Sequence, residues 1–549
     1  MRFLKAQPAA PRGLGKPWQK RMSGWGRASA AILLAAGLGS LAPGSPASAQ
    51  STSFGSLGDG SLVRESRGIH MLEYSPIRLT NGGEFDLLAI HQLYRLNDWL
   101  SFGVGAFAPM LRGNAGGFFG ASARLHAQRR ISGNWFVNGG LSFGAGAGGA
   151  SIANIGTLSG DGVYARAYAG IGYAFRNFSV GLNYSRVAIA NSPINDSTFS
   201  IFVQRPFSLR TGAYSSAGTI INANDFNAPA YDTMISVSAG NMVQINPTGS
   251  YRGDIGLLTT QFTSFFRPNV YSFFGINMGA SGLSWYNQAQ GGVGFRYALS
   301  PNVNVYSQLG IGSGGWVTDT INTGSGIVIY PRVALEYRLS DRLGAQLSAG
   351  YLYAPRGTSR NWTVELGMNY YLANARSQDG DSTVGDAYTM RGISLNVFGR
   401  RTSDIFYNGR TSAPLSMIAV QADYALNDNW YAAGQLAVAA NRFRGFAGYA
   451  EAFLGVGYRR NLTSSGRFQG YAQLMLGVND LGVDPAHENG PMLYPSIGVN
   501  YNINDRLSLY GQLGVTRSIN QYLSNGPTVD FENYSIGLGM TYRFSLLTR

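Results

Sequence analysis

The chain has 549 residues, with 42 Lys plus Arg against 28 Asp plus Glu, and no cysteine. The missing thiols exclude disulfides, lipid attachment at cysteine, and thiolate metal or redox chemistry. A net charge of +14 with arginines scattered along the chain, not gathered in a stripe, gives no nucleic-acid partner.

Residues 1–49 read as a cleaved signal peptide. Arg2, Lys5, Arg12, Lys16, Lys20, Arg21 and Arg27 precede or border a short apolar run, Ala28 to Leu41, and Ala47-Ser48-Ala49 is an A-x-A site. Seven of the 42 basic residues lie in it and no acidic residue does, so 35 basic and 28 acidic residues remain, a net +7. No later stretch approaches the roughly 18 apolar residues that a membrane helix needs.

From there a short phrase recurs: an aromatic, any residue, a branched aliphatic, then a turn. It appears at Tyr94-Arg95-Leu96-Asn97-Asp98, Tyr297-Ala298-Leu299-Ser300-Pro301, Tyr337-Arg338-Leu339-Ser340-Asp341, Tyr424-Ala425-Leu426-Asn427-Asp428 and Tyr501-Asn502-Ile503-Asn504-Asp505. Asn, Asp, Ser and Pro suit tight two-residue hairpins. An aromatic before the turn is where a spanning strand meets the headgroup layer.

The spans divide as 50–207, repeat one with its N-terminal tail; 208–231, a polar linker; 232–373, repeat two; 374–387, a second linker; and 388–549, repeat three. In repeat two, Trp362, Val364, Leu366, Met368 and Tyr370 alternate with Thr363, Glu365, Gly367 and Asn369. Ile329-Tyr330-Pro331 through Leu343 matches Leu493-Tyr494-Pro495 through Leu507. In repeat three, strands are expected near 389–400, 416–427, 429–440, 446–460, 467–478, 492–503, 506–516 and 533–544. There Tyr534, Ile536, Leu538, Met540, Tyr542 and Phe544 share one face, and Ser535, Gly537, Gly539, Thr541 and Arg543 the other. Period two over this length is a strand one bilayer long, apolar outward and small or polar inward.

The predicted fold class is all-β: a transmembrane antiparallel β-barrel of about 24 strands in three eight-strand repeats. Precedent favours closure as one large barrel over three tandem eight-stranded barrels. The inward faces supply candidate lumen residues: Arg124, Arg166, Arg332, Glu336, Glu365, Glu451, Tyr449, Tyr471, Tyr494, Tyr510, Gln473, Gln512 and Arg543. These arginines, with Arg459, either bias a pore toward anions or pair with Glu336, Glu365, Glu451 or Asp423.

Gly539-Met540-Thr541-Tyr542-Arg543-Phe544 resembles the C-terminal assembly signal of outer-membrane barrels, a Gly followed by two alternating aromatics, although Ser545 to Arg549 follow it. Gly539, Tyr542 and Phe544 are the candidate signal residues. The chain thus resembles a Gram-negative outer-membrane β-barrel protein. That resemblance implies outer-membrane lipid and the barrel-assembly machinery as partners, with a periplasmic or polymer-export partner in addition.

No enzyme, cofactor or metal site is expected. Gly144, Gly146 and Gly149 have G-x-G-x-x-G spacing but no helix pattern after them. His70, His91, His126 and His487 lack marked partners, and Asp379, Asp381 and Asp386 have incomplete calcium spacing. The expected function is an outer-membrane pore or conduit for small polar solutes, or for a neutral polymer such as polysaccharide. The alternative is a non-conducting structural or surface-assembly protein that acts through loops or partners.

Overall fold

The computed structural model describes residues 64–147, 158, 163–222, 233–283, 286–315, 320–340, 342–371, 387–407, 409–439, 441, 449–480, 492–519 and 531–548. The signal peptide, His487, Gly149, Asp379, Asp381 and Asp386 lie outside these residues.

Barrel one contains β1 Arg64–Arg78, β2 Glu84–Arg95, β3 Leu100–Ala108, β4 Phe119–Ser132, β5 Trp135–Ala147, β6 Val163–Ala174, β7 Ser179–Ile189 and β8 Asn195–Gly212. A 3₁₀ turn, Tyr214–Ser216, and β9 Ile220–Asn222 follow. Barrel two contains β10 Thr233–Gln244, β11 Ile255–Arg267, β12 Val270–Ser281, β13 Asn287–Ser300, β14 Val303–Gly315, β15 Ile327–Arg338, β16 Leu343–Tyr353 and β17 Arg360–Tyr371. Barrel three begins with β18 Ala387–Thr402, from which a small hairpin, β19 Ile405–Tyr407 and β20 Arg410–Ser412, projects. It continues with β21 Ser416–Ala425, β22 Trp430–Ala439, β23 Ala450–Asn461, β24 Phe468–Asp480, β25 Met492–Asn502, β26 Leu507–Ser518 and β27 Phe531–Thr548.

Every pairing is antiparallel, the barrel walls run from each strand to the next, and each repeat then closes on itself. In barrel one Glu73 of β1 faces Phe202 of β8. In barrel two Val237 of β10 faces Met368 of β17. In barrel three Ile393 of β18 faces Phe544 of β27 on one side and Tyr424 of β21 on the other. The expectation of one large barrel is therefore corrected: Leu366 pairs with Ala239 and Leu347, not with repeat three.

Side-chain volume explains the correction. Eight strands enclose just enough space for side chains to fill, and the inward faces carry a core's worth of them. Ile77, Phe85, Leu87, Phe107, Tyr164 and Val187 cluster inside barrel one, and Phe398, Tyr431, Phe453, Tyr494 and Tyr510 inside barrel three. A wide barrel would leave these rings facing water, at about 25 cal/mol for each Å² of apolar surface.

The outer surfaces are apolar and open, with Leu366 67% and Leu538 68% exposed. This is a lipid-facing belt, since no soluble fold leaves such continuous rows uncovered. At the turn ends, pairs of exposed aromatics form the girdle, among them Trp430–Tyr458 and Phe468–Tyr501 with ring centroids 5.3 and 5.0 Å apart.

Asn and Ser recur in the turns because they cap them. Asn97 Oδ1 accepts from the N–H groups of Trp99 and Leu100, Asn427 from Asn429 and Trp430, and Asn504 from Arg506 and Leu507. Leu96 N–H donates to Leu100 O and Leu426 N–H to Trp430 O, so these turns are one residue longer than the expected two-residue form. The side-chain oxygen satisfies backbone donors that a tighter turn would pair directly.

The barrels also touch one another. Ala106, Ala108 and Phe119 on the outside of barrel one pack against Phe274, Ile276, Met278 and Ala289 of barrel two. At the loop end, Ser313 Oγ donates to Pro109 O (2.7 Å), Ser325 Oγ to Met110 O (2.6 Å) and Gly116 N–H to Gly324 O (2.9 Å). Val478 of barrel three packs against barrel two. At the turn end, Ser545 and Leu546 pair with Gly212 and Thr211, joining barrels three and one.

Candidate functional site

The candidate site is the interior of each barrel. In barrel one, the inward register of β1 places Glu73 at mid-height. Its carboxylate receives Arg124 Nη1 at 2.9 Å and Arg166 Nη2 at 2.5 Å. Asn183 Nδ2 and Ser200 Oγ each donate to it at 2.9 Å. All of these groups are buried. His91 Nε2 lies 3.2 Å from Ser122 Oγ, and His126 Nδ1 2.7 Å from Tyr168 Oη. Both histidines sit inside the barrel, whereas His70 stacks on Phe207 at 4.3 Å. Apolar side chains close the layer above and below: the Phe85 and Phe107 cluster toward the loops, and Ile69, Met71, Leu93, Phe136 and Phe202 toward the turns.

Barrel two repeats the plan with different partners. Arg332 Nη2 lies 3.2 Å from Glu365 Oε2, which also accepts from Ser238 Oγ at 2.6 Å, while Tyr330 Oη donates to Glu365 Oε1 at 3.1 Å. Among the described residues Glu336 makes no ion pair; Asn304, Tyr306, Asn369 and Tyr371 donate to it at 2.6 to 2.9 Å. A cavity of about 10 Å³ beside Gln261, Tyr271, Tyr306, Gln308 and Arg332 has room for no more than one water.

In barrel three Arg400 is paired with Glu451, which also accepts from Tyr449. Asp423 accepts from Asn396 (2.9 Å) and Gln421 (2.7 Å), and Gln421 donates to Gln473 at 3.0 Å. Tyr494 donates to Gln512 at 3.1 Å, and Tyr471 stacks on Tyr510 with centroids 5.5 Å apart. Glycines make space for these rings. A Cβ on Gly457 would fall 2.1 Å from the Tyr431 ring, and one on Gly514 2.6 Å from Tyr494. Arg543 Nη2 donates to Asn504 O at 2.7 Å near the turns.

All thirteen residues named as lumen candidates point inward and are buried. They do not form one surface, because they are shared among three separate interiors. Glu73 and Arg400, which hold the ion pairs of barrels one and three, escaped the sequence reading. Around Glu73, Ile69, Met71, Leu72 and Ile77 are apolar on both faces, so alternation gives no orientation; Arg400 stands beside Arg401 with the same ambiguity. Gly144 and Gly146 lie within strand β5, with no helix N-terminus to cradle phosphate. On β27, Gly539 faces inward opposite Phe398 and Tyr510, and the Tyr542 and Phe544 rings face outward 5.9 Å apart.

No protein-family model matches the sequence, and no curated relative matches it. Among solved structures, a de novo designed transmembrane β-barrel is 17% identical, with 27% of this chain and 99% of that chain covered, at a TM-score of 0.20. OccK11 (OpdR) of Pseudomonas aeruginosa is 12% identical, with 88% and 96% covered, at 0.18. The siderophore receptor PirA of the same organism is 11% identical, with 87% and 80% covered, at 0.25. Such scores describe limited superposition, and the fold rests on the strand pairings above.

Proposed function

We propose that this is a non-enzymatic outer-membrane protein of a Gram-negative-type cell, whose three barrels serve as a membrane-embedded scaffold for structural or surface-assembly work. The observation that carries this reading is that each interior is packed with side chains above and below its charged or polar layer. The polymer route depended on a wide lumen, which three separate closures remove. Work then falls to the loop end, where barrels one and two are hydrogen-bonded into a common platform and the β19–β20 hairpin projects from barrel three.

Passage of small polar solutes is the second reading, and the polar mid-layers favour it. Planar-bilayer recording of the purified protein separates the two. The scaffold predicts no steps beyond rare, small openings, whereas stable steps of the kind that open aqueous barrels give would establish the conduit.

Outer-membrane lipid and the barrel-assembly machinery are the proposed partners, with Gly539, Tyr542 and Phe544 as the recognition signal. Replacing Tyr542 and Phe544 with Asn should remove most surface protein. A polar group on the lipid face costs up to several kcal/mol where no partner satisfies it. Heat-modifiable mobility on gels reads out the folded fraction, and an undiminished folded band in the double variant would count against the signal.

A further inference from the structure

The chain between barrels one and two does not run directly from one to the other. It first crosses the turn-side mouth of barrel three. Ser545 Oγ donates to Ala213 O at 2.7 Å, and Ser215 N–H to Asp505 Oδ1 at 2.9 Å. Gly218 N–H donates to Met390 O, and Met390 N–H to Thr219 O, at 2.7 and 2.9 Å. Ile220–Asn222 then pairs antiparallel with Ala387–Thr389, lengthening the sheet of barrel three.

Within this strap Tyr214 is aimed into the barrel. Its ring lies 4.9 Å from the Arg543 guanidinium carbon and 5.5 Å from that of Arg459. Both arginines point inward and are only 7% exposed. Among the described residues neither makes an ion pair, and Arg543 Nε has no hydrogen-bond acceptor. Tyr214 thus offers its π-face to two cations, whose nearest carboxylates, Asp423 and Asp505, stay beyond ion-pair distance among the described residues. Gly392 leaves the space the ring needs: a Cβ there would lie 3.0 Å from the Tyr214 ring and 3.3 Å from Ala217 Cβ.

We propose that Ala213–Asn222 is a built-in plug, seated by Tyr214 over Arg459 and Arg543, that seals the turn-side mouth of barrel three and covers a cationic vestibule able to accept a small anion. The inference rests on the three-barrel membrane scaffold, and its test reads separately from that reading. Two guanidiniums line the vestibule, so small anions should enter it when the ring leaves.

The chain has no cysteine, so engineered thiols report cleanly. First, Ile220→Cys with Thr389→Cys, register partners between the strap and β18, should form an intramolecular disulfide under mild oxidation. Second, Ser394→Cys lies behind the plug, in register with Arg543 and Asp423. The anionic thiol reagent sulfonatoethyl methanethiosulfonate should modify it slowly with Tyr214 present. With Tyr214→Ala it should react at least about tenfold faster, as expected when a protecting segment opens. Heat-modifiable mobility of each variant checks that the barrels remain folded. Equal labelling rates in folded proteins would overturn the plug while leaving the three barrels standing. If Tyr214→Ala fails to fold, the disulfide still decides, because a strap that does not occupy the mouth cannot form it.

Discussion

Cysteines at Val397 and Met540 should join in an intramolecular disulfide in nearly every molecule, while cysteines at Leu366 and Ile393 should remain reduced. Val397 and Met540 are register partners on β18 and β27. Directly opposed antiparallel residues have Cα atoms about 4.5–5.5 Å apart, within the separation that a disulfide accepts. Leu366 sits on β17, whose two neighbours are β10 and β16. The pair Val237→Cys and Met368→Cys makes the same test of barrel two. The effect is close to all or none, so mobility on a non-reducing gel is sufficient. A disulfide between Leu366→Cys and Ile393→Cys, with none inside repeat three, would restore the single wide barrel.

Removing the carboxylate of Glu73 should destabilise barrel one by about 3–5 kcal/mol, because Arg124 and Arg166 are then left buried with no counter-charge. Both guanidiniums point at Glu73 from separate strands, β4 and β6, and among the described residues neither has a second carboxylate partner. Against a typical domain stability of about 5–15 kcal/mol this is a large share. Urea titration of the heat-modifiable band should show Glu73→Ala unfolding far earlier than the parent. Replacing all three residues with apolar ones, Glu73→Leu, Arg124→Met and Arg166→Met, should recover most of the loss, since the cost lies in the unpaired charges. An unchanged midpoint for Glu73→Ala would show that water reaches the layer, and would favour the conduit over the scaffold.

The amino-acid sequence by itself determined where the strands lie and which way they face. The expected strand at 416–427 is β21 Ser416–Ala425, and that at 492–503 is β25 Met492–Asn502. Tyr534 to Phe544 presents the outward and inward rows read from its alternation. These features are local, because a period of two and a capped turn are complete within a dozen residues. Only the tertiary structure decided how the strands close. The free edges of β17 and β18 present the same backbone donors and acceptors to any partner, so hydrogen bonding alone does not choose between them. The choice falls to interior volume, where Phe85 and Phe107 must be buried in barrel one and Tyr494 and Tyr510 in barrel three, and that is a property of whole barrels. The same holds for the partners of Glu73 and for Tyr214 in the mouth of barrel three, which meet across 51 to 329 residues of chain: a periodic pattern records the face on which a side chain stands, but not what it meets there.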